Sequence, residues 1–309
     1  MKKRPTGSAE QPAFSKRAAE QSLNDIVAFM ANQQFSSIEE ANAFIQDQLA
    51  HGGIPRAVAN TPLEKAQELM YEADDVNPKR RLELAKQALE LTPDCAEAYI
   101  ILAENAANSN LTAAVNYALE GVRAGERVLG KEPFIKEVGN FWGNLSTRPY
   151  MRARAAYAEF LWLNHNYNES IDVSKATLSL NPGDNQGIRY VLAPRLLALG
   201  RDDEFATLYK QFEDDGMACF AYSHALWLFR KEGASPATDT ALSEALKRNP
   251  YVPEYLLLTH KIPSRMPDYY GIGDRNQAII YVNDAIESWA RSKGALLWLR
   301  SRCGRRARH

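Results

Sequence analysis

The chain has 309 residues with a 45% apolar content, long enough for one extended helical array or two compact domains with a sizeable core. Its 37 basic and 38 acidic residues leave a formal charge of −1, so the summed field gives no general attraction to nucleic acid or to an anionic membrane. Three cysteines, Cys95, Cys219 and Cys303, lie far apart with no CxxC pair, which suggests neither a disulfide framework nor a zinc site and suits a reducing compartment.

Residues 1–20 carry Pro5, Gly7, Pro12 and scattered charge without an apolar period, and read as a flexible leader. No apolar h-region and no run long enough to span a membrane follows, so a cytoplasmic protein is expected. Leu23, Ile26, Val27 and Met30 then recur at helical spacing. Ser36-Ser37-Ile38-Glu39 has the form of a capping box ahead of Ala41, Phe44, Ile45 and Leu49, which predicts a small helical pair over 21–55. His51-Gly52-Gly53-Ile54-Pro55 breaks it and serves as a hinge.

From 62 to 250 helix-forming stretches follow one another with short turns and no strand alternation. Three of them end alike: Ala88-Leu89-Glu90-Leu91-Thr92-Pro93, Thr177-Leu178-Ser179-Leu180-Asn181-Pro182 and Ala245-Leu246-Lys247-Arg248-Asn249-Pro250. Each closes an amphipathic helix with a proline that cannot continue it. Pro182 and Pro250 are 68 positions apart, twice the 34-residue tetratricopeptide period. The expected fold is therefore all-α, a tetratricopeptide-like superhelical stack of antiparallel helix pairs. Residues 94–148 break the period. They are predicted to hold a helix pair near 95–107 and 111–129, then an irregular connection around Gly139-Asn140-Phe141-Trp142-Gly143.

Residues 251–299 are expected to cap the array, with Tyr255, Leu256, Leu257, Trp289 and Leu296 covering the last repeat. Residues 300–309 form a basic tail with Arg300, Arg302, Arg305, Arg306 and Arg308. The segment Asn249-Pro250-Tyr251-Val252-Pro253-Glu254-Tyr255-Leu256-Leu257, with Gly273-Asp274, Ala278-Ile279-Ile280-Tyr281, Trp289 and Gly294-Ala295-Leu296, resembles the suppressor-of-tumorigenicity-seven family over roughly residues 185–299. That family also places such a stretch after tetratricopeptide-like helices, but the membrane-spanning segments of the family are missing here, so no membrane role is carried over. Arg148-Pro149-Tyr150-Met151-Arg152 and Asn181-Pro182-Gly183-Asp184 are also similar to uncharacterised tetratricopeptide proteins of microbes and algae.

Enzyme chemistry finds no foothold in the residue spacing. The five histidines show no HxxxH or HExxH spacing, no phosphate-binding glycine loop or nucleophile elbow is present, and the Asp202-Asp203 and Asp214-Asp215 pairs fall at helix ends. Neither a cofactor nor a metal is expected. The remaining site is a groove lined by the first helix of each pair. Helical phasing offers Arg152, Glu159 and Trp162, then Gln186, Arg189 and Tyr190, then Phe220, Ser223, Trp227 and Arg230. Guanidinium forks for carboxylates and rings for apolar anchors suit a partner peptide or helix, with Arg152 and Arg189 expected to grip one carboxylate together. The alternative is a nucleic-acid-associated recruiting factor that uses the arginine-rich carboxy terminus on phosphates.

Overall fold

The computed structural model describes residues 16–31, 33–267 and 269–303; the amino-terminal leader before Lys16 and the tail after Cys303 lie outside the described residues. Every regular element among the described residues is a helix. The chain forms two compact units, residues 1–166 and 167–309, so the division falls inside the stretch that the repeat pattern reads as one array.

Unit 1 contains α1 (Lys16–Met30), α2 (Ile38–His51), α3 (Pro62–Ala73), α4 (Pro78–Leu91), α5 (Ala96–Ala107), α6 (Leu111–Leu129), α7 (Pro133–Lys136) and α8 (Arg148–Leu163). Helices α3 to α6 pack each against the next, and α8 packs on both α5 and α6. The starts are written in the sequence. Thr61 and Glu64 form a reciprocal capping box with Pro62 at the first helical position, and the Asn77 and Asn110 side chains accept from Arg80 and Ala113 backbone amides. The start of α2 differs by one residue from the expected box: Ser37 accepts from the Glu40 amide, and Glu40, not Glu39, reaches back to Ser36.

The α3–α5 core is built of small and medium side chains, Ala66, Met70, Ala73, Leu84, Ala85, Ala88, Ala98 and Ile101. Small residues allow the helix backbones to approach. On α6, a Cβ at Gly121 would lie 2.9 Å from the Ala96 carbonyl oxygen, and one at Gly125 would lie 2.8 Å from Tyr150 Cβ. These two glycines let α5 and α8 seat closely on α6. Helix α8 follows a 3₁₀ turn at Leu145–Thr147, and the irregular connection before it is pinned by the buried Phe141 ring, 5.2 Å from Phe134 and 6.2 Å from Tyr150.

Helix α1 begins at Lys16, inside the stretch read as leader. Among the described side chains of α1 only Glu20 is buried, while Leu23 and Val27 are exposed at 44% and 58%. Helix α2 has no buried residue, and it meets α1 through a Phe29–Phe44 ring stack at 5.7 Å.

Unit 2 contains α9 (Tyr167–Leu180), α10 (Ile188–Ala198), α11 (Asp202–Gln211), α12 (Ala218–Glu232), α13 (Pro236–Arg248), α14 (Val252–Leu256), α15 (Arg275–Arg291) and α16 (Ala295–Cys303). Helices α12 and α13 form a close pair, and α10 packs on α9, α11 and α12. Pro194 sits inside α10 and has no N–H to give the Tyr190 carbonyl. The buried Cys219 thiol takes its place, donating to that oxygen at 3.1 Å, and burial pushes the thiol pKa up.

The carboxy-terminal helices do more than cap the last pair. Helix α15 reaches back across both α12 and α10, burying Ala278, Tyr281, Val282, Ala285 and Trp289, and Trp289 donates to the Tyr281 hydroxyl at 3.0 Å. Tyr255, Leu256 and Trp298 are buried with them, and Trp298 stacks on Phe229 at 4.7 Å. The physical reason is length: the 17 residues of α15 extend about 25 Å at 1.5 Å per residue, enough to cross two adjacent helices.

Candidate functional site

In unit 1 the first helices of successive pairs are joined by a polar ladder. Gln67 of α3 donates to Glu97 of α5 at 2.5 Å, and Arg152 of α8 donates from Nε to the other Glu97 oxygen at 2.5 Å. Glu97 is buried to 2% exposure, a position an acidic side chain takes only with such partners. The outer edge of the Arg152 guanidinium faces a second carboxylate: Nη1 and Nη2 donate to the two oxygens of Glu20 at 2.9 and 2.8 Å. This is a bidentate fork across 132 residues of sequence.

Arg148, one turn earlier on α8, adds a third donor to Glu20 at 3.3 Å and donates from Nε to the Trp142 carbonyl at 3.0 Å. Both guanidinium groups lie over the Trp142 ring, at 5.2 and 5.9 Å from its centroid. Burial pulls the Arg152 pKa down, but the Glu97 and Glu20 carboxylates outweigh it and the net direction is upward, so the group stays charged.

The local sequence makes this an anion site. Arg148 and Arg152 stand at i and i+4, where like charges repel, and they begin a helix with no acidic residue in its first turn. The positive end of the α8 dipole adds to both charges, so a carboxylate delivered from elsewhere relieves three unfavourable terms at once. Glu20 is that carboxylate. Its helix is held beside it by further polar contacts: Gln21 donates to Glu68 at 3.1 Å, Asn24 donates to the Tyr71 hydroxyl, and the Ala57 amide donates to Asp25 at 2.9 Å.

Glu159 and Trp162, the other two groove candidates of unit 1, are half-buried farther along α8. In unit 2 the candidates divide. Arg189 is bracketed by carboxylates from its own neighbourhood: Nη1 is 3.0 Å from Asp184 and Nε is 2.7 Å from Asp215. Asp184 also accepts the Ile188 and Arg189 amides at the start of α10, so this bracket closes a turn. Burial raises the Asp184 pKa, offset in part by the Arg189 and Ile188 amides and the Arg189 charge. Tyr190 donates to Asp215 at 3.0 Å and its pKa is raised, first by burial and then by that bond. Gln186 lies half-buried in the turn before α10.

Arg152 and Arg189 thus each meet two carboxylates of their own unit. Ser223 is buried, and Arg230 is committed to Asp202 at 3.1 Å and to the Leu197 carbonyl. Helix α15 packs on α10 and α12, with Tyr222, which was not among the groove candidates, 5.8 Å from Tyr281. Phe220 instead packs edge-on against Tyr190 at 6.1 Å and helps floor a groove of ≈ 500 Å³ between α11, α12 and α13. There His224 stacks on Tyr209 at 4.1 Å and on Trp227 at 5.8 Å, with Arg248 and Glu244 at the rim. Arg302 of the basic carboxy terminus pairs with Asp239 at 2.7 Å.

Sequence reasoning found Arg152 but missed Arg148, Trp142 and Glu20 as its companions. The signal that was present is the i, i+4 arginine pair at an uncapped helix start.

The fold and these side chains define an all-α protein of packed consecutive helices that carries a carboxylate-binding arginine pair. No family model matches the chain. It is similar to suppressor of tumorigenicity 7 protein-like of Gallus gallus, 26% identical over 250 residues that cover 71% of this chain and 43% of the relative. The Homo sapiens protein of the same name is 26% identical, covering 71% of this chain and 42% of the relative, and that of Bos taurus is 25% identical. The similarity reaches beyond the carboxy-terminal stretch on which it was expected, and the chain spans less than half the length of these relatives. No helix among the described residues is long and apolar enough to cross a membrane.

Proposed function

We propose that this chain is a tetratricopeptide-like, non-enzymatic scaffold of a reducing compartment, the cytoplasm, which binds a helix or peptide of a partner protein across the first helices of its pairs in unit 1. The observation that carries this reading is the Glu20 carboxylate in the Arg148–Arg152 fork: the surface already receives a helix, side-on, through a carboxylate. The three proline-terminated helix endings and the successive pairs α3/α4, α5/α6, α10/α11 and α12/α13 support the repeat assignment. Affinity would come from charge-assisted hydrogen bonds at a partly dehydrated site, where removal of a donor is costly.

Affinity purification with the wild type and an Arg148→Ala/Arg152→Ala chain, each checked by thermal unfolding, tests the reading. Partners lost from a variant that still folds are the expected result. An unchanged set of partners would reject unit 1 as the binding surface.

A further inference from the structure

We infer that the Arg148–Arg152–Trp142 clamp is a receptor for a polar, acidic stripe on a partner helix, and that α1 sits in it as an intramolecular stand-in for that helix. The inference rests on the scaffold reading above and names the partner's chemistry and the state in which the site is held.

Three features of α1 lead there. Its docking residues, Glu20, Gln21, Asn24 and Asp25, are spaced i, i+1, i+4 and i+5, which places them on one stripe of a helix. All four contacts are hydrogen bonds or ion pairs, to Arg148 and Arg152, Glu68, Tyr71 and the Ala57 amide. The apolar residues Leu23 and Val27 stay exposed, and Ile26, Phe29 and Met30 are only half-buried, so no described apolar side chain of α1 is fully buried.

A helix attached in this way exchanges readily with another that presents the same stripe. Polar contacts are replaced one for one by an equivalent partner or by water, whereas a buried apolar face has no such substitute. The receptor side stays assembled without it, because Arg152 keeps Glu97 and Arg148 keeps the Trp142 carbonyl. The partner helix that fits carries a glutamate, an amide residue beside it, and an amide and an acid one turn on. It enters as α1 leaves, so the tethered copy sets a threshold for binding.

The probe is a fluorescein-labelled peptide of residues 16–31, titrated into the full chain by anisotropy. Wild type should bind it weakly, and the Glu20→Ala chain at least tenfold more tightly because its internal competitor has lost the carboxylate. A peptide carrying Glu20→Gln should lose that gain, and an Arg152→Ala change in the Glu20→Ala chain should abolish it. Equal binding by wild type and Glu20→Ala, or indifference to Gln in the peptide, overturns the inference.

Hydrogen exchange on the wild type supplies a readout that does not depend on any variant folding. Added peptide should speed exchange in α1 and leave α3 and α8 unchanged; unaltered α1 protection at high peptide concentration overturns the inference. If partners captured by the chain still require Arg148 and Arg152 while α1 is not displaced, the scaffold reading stands and the stand-in role falls. If sedimentation shows copies of the chain exchanging α1 with each other, the occupant is a second copy and the partner-helix assignment falls.

Discussion

Each unit lays one of its own helices across the first helices of its pairs, and the two do so by opposite physics. In unit 2, α15 buries Tyr281, Val282, Ala285 and Trp289 against α10 and α12. In unit 1, Glu20 is the one fully buried side chain among those described in α1; Ile26, Phe29 and Met30 are half-buried, and Leu23 and Val27 are exposed. A helix sealed by apolar surface belongs to the core, since its release exposes that surface; a helix held mainly by charge and amide contacts is released at smaller cost, because water replaces those contacts. An inlaid helix is thus a structural joint in unit 2 and, on the reading proposed above, the occupant of a binding site in unit 1.

The largest effect that separates the two should come from Trp289→Ala. Emptying that fully buried ring should cost about 3–5 kcal/mol and be read as a lower urea midpoint for unit 2. A loss below 1 kcal/mol on the order of a surface change would mean α15 is no part of the core.

Next is Gly125→Ala. The added methyl meets Tyr150 on α8, and overpacking of that contact should cost about 1–3 kcal/mol in chemical denaturation. Because the shift falls one half-turn from Arg152, peptide binding at the clamp should weaken in the same variant.

Glu20→Gln should be milder. Glutamine keeps one acceptor oxygen but turns its NH2 toward a guanidinium donor, while Arg152 keeps Glu97, so the cost should be about 1.5 kcal/mol, measured by thermal unfolding. Exchange of α1 amides should nonetheless rise clearly, while those of α15 stay protected. If α1 were core, both quantities would change together.

The smallest effect is a pH dependence confined to unit 2. Burial lowers the His224 pKa from its ordinary value of 6.5. Below 6.5 the unfolded chain therefore binds a proton that the folded one does not, so the stability contributed by neutral His224 is present above that pH and declines as pH falls toward the folded pKa. His224→Gln should flatten the difference between unfolding curves recorded at pH 7.5 and 5.5. A slope that survives the substitution would assign it to other groups.

Much of the fold was legible because its signals are local. Helices α5 and α6 lie at Ala96–Ala107 and Leu111–Leu129, against 95–107 and 111–129 expected, since Asn110 and Gly130 mark their ends within a few residues. The role of α1 was not legible. Glu20 sits in a stretch without an apolar period, and its partners are 128 and 132 positions away, a distance over which residue spacing carries no information. For the same reason the carboxylate partner of Arg189 beyond α11 was hidden: its aromatic neighbours were visible, but its pairing with Asp215 was not. The reach of α15 was hidden by an ordinary amphipathic pattern that fits an end cap and an inlaid helix equally well.

The paired glycines of α6 carry a consequence for tracing this site through other genomes. Gly121 and Gly125 lie one helical turn apart, as do Arg148 and Arg152, and Gly125 lets α6 approach α8 at Tyr150, between the two arginines. The spacing Gly-x-x-x-Gly followed downstream by Arg-x-x-x-Arg, with a tryptophan shortly before the first arginine, is thus a compact fingerprint of the receptor. Chains that keep all three marks while losing the glutamate of α1 would be forms of this scaffold with the seat permanently open.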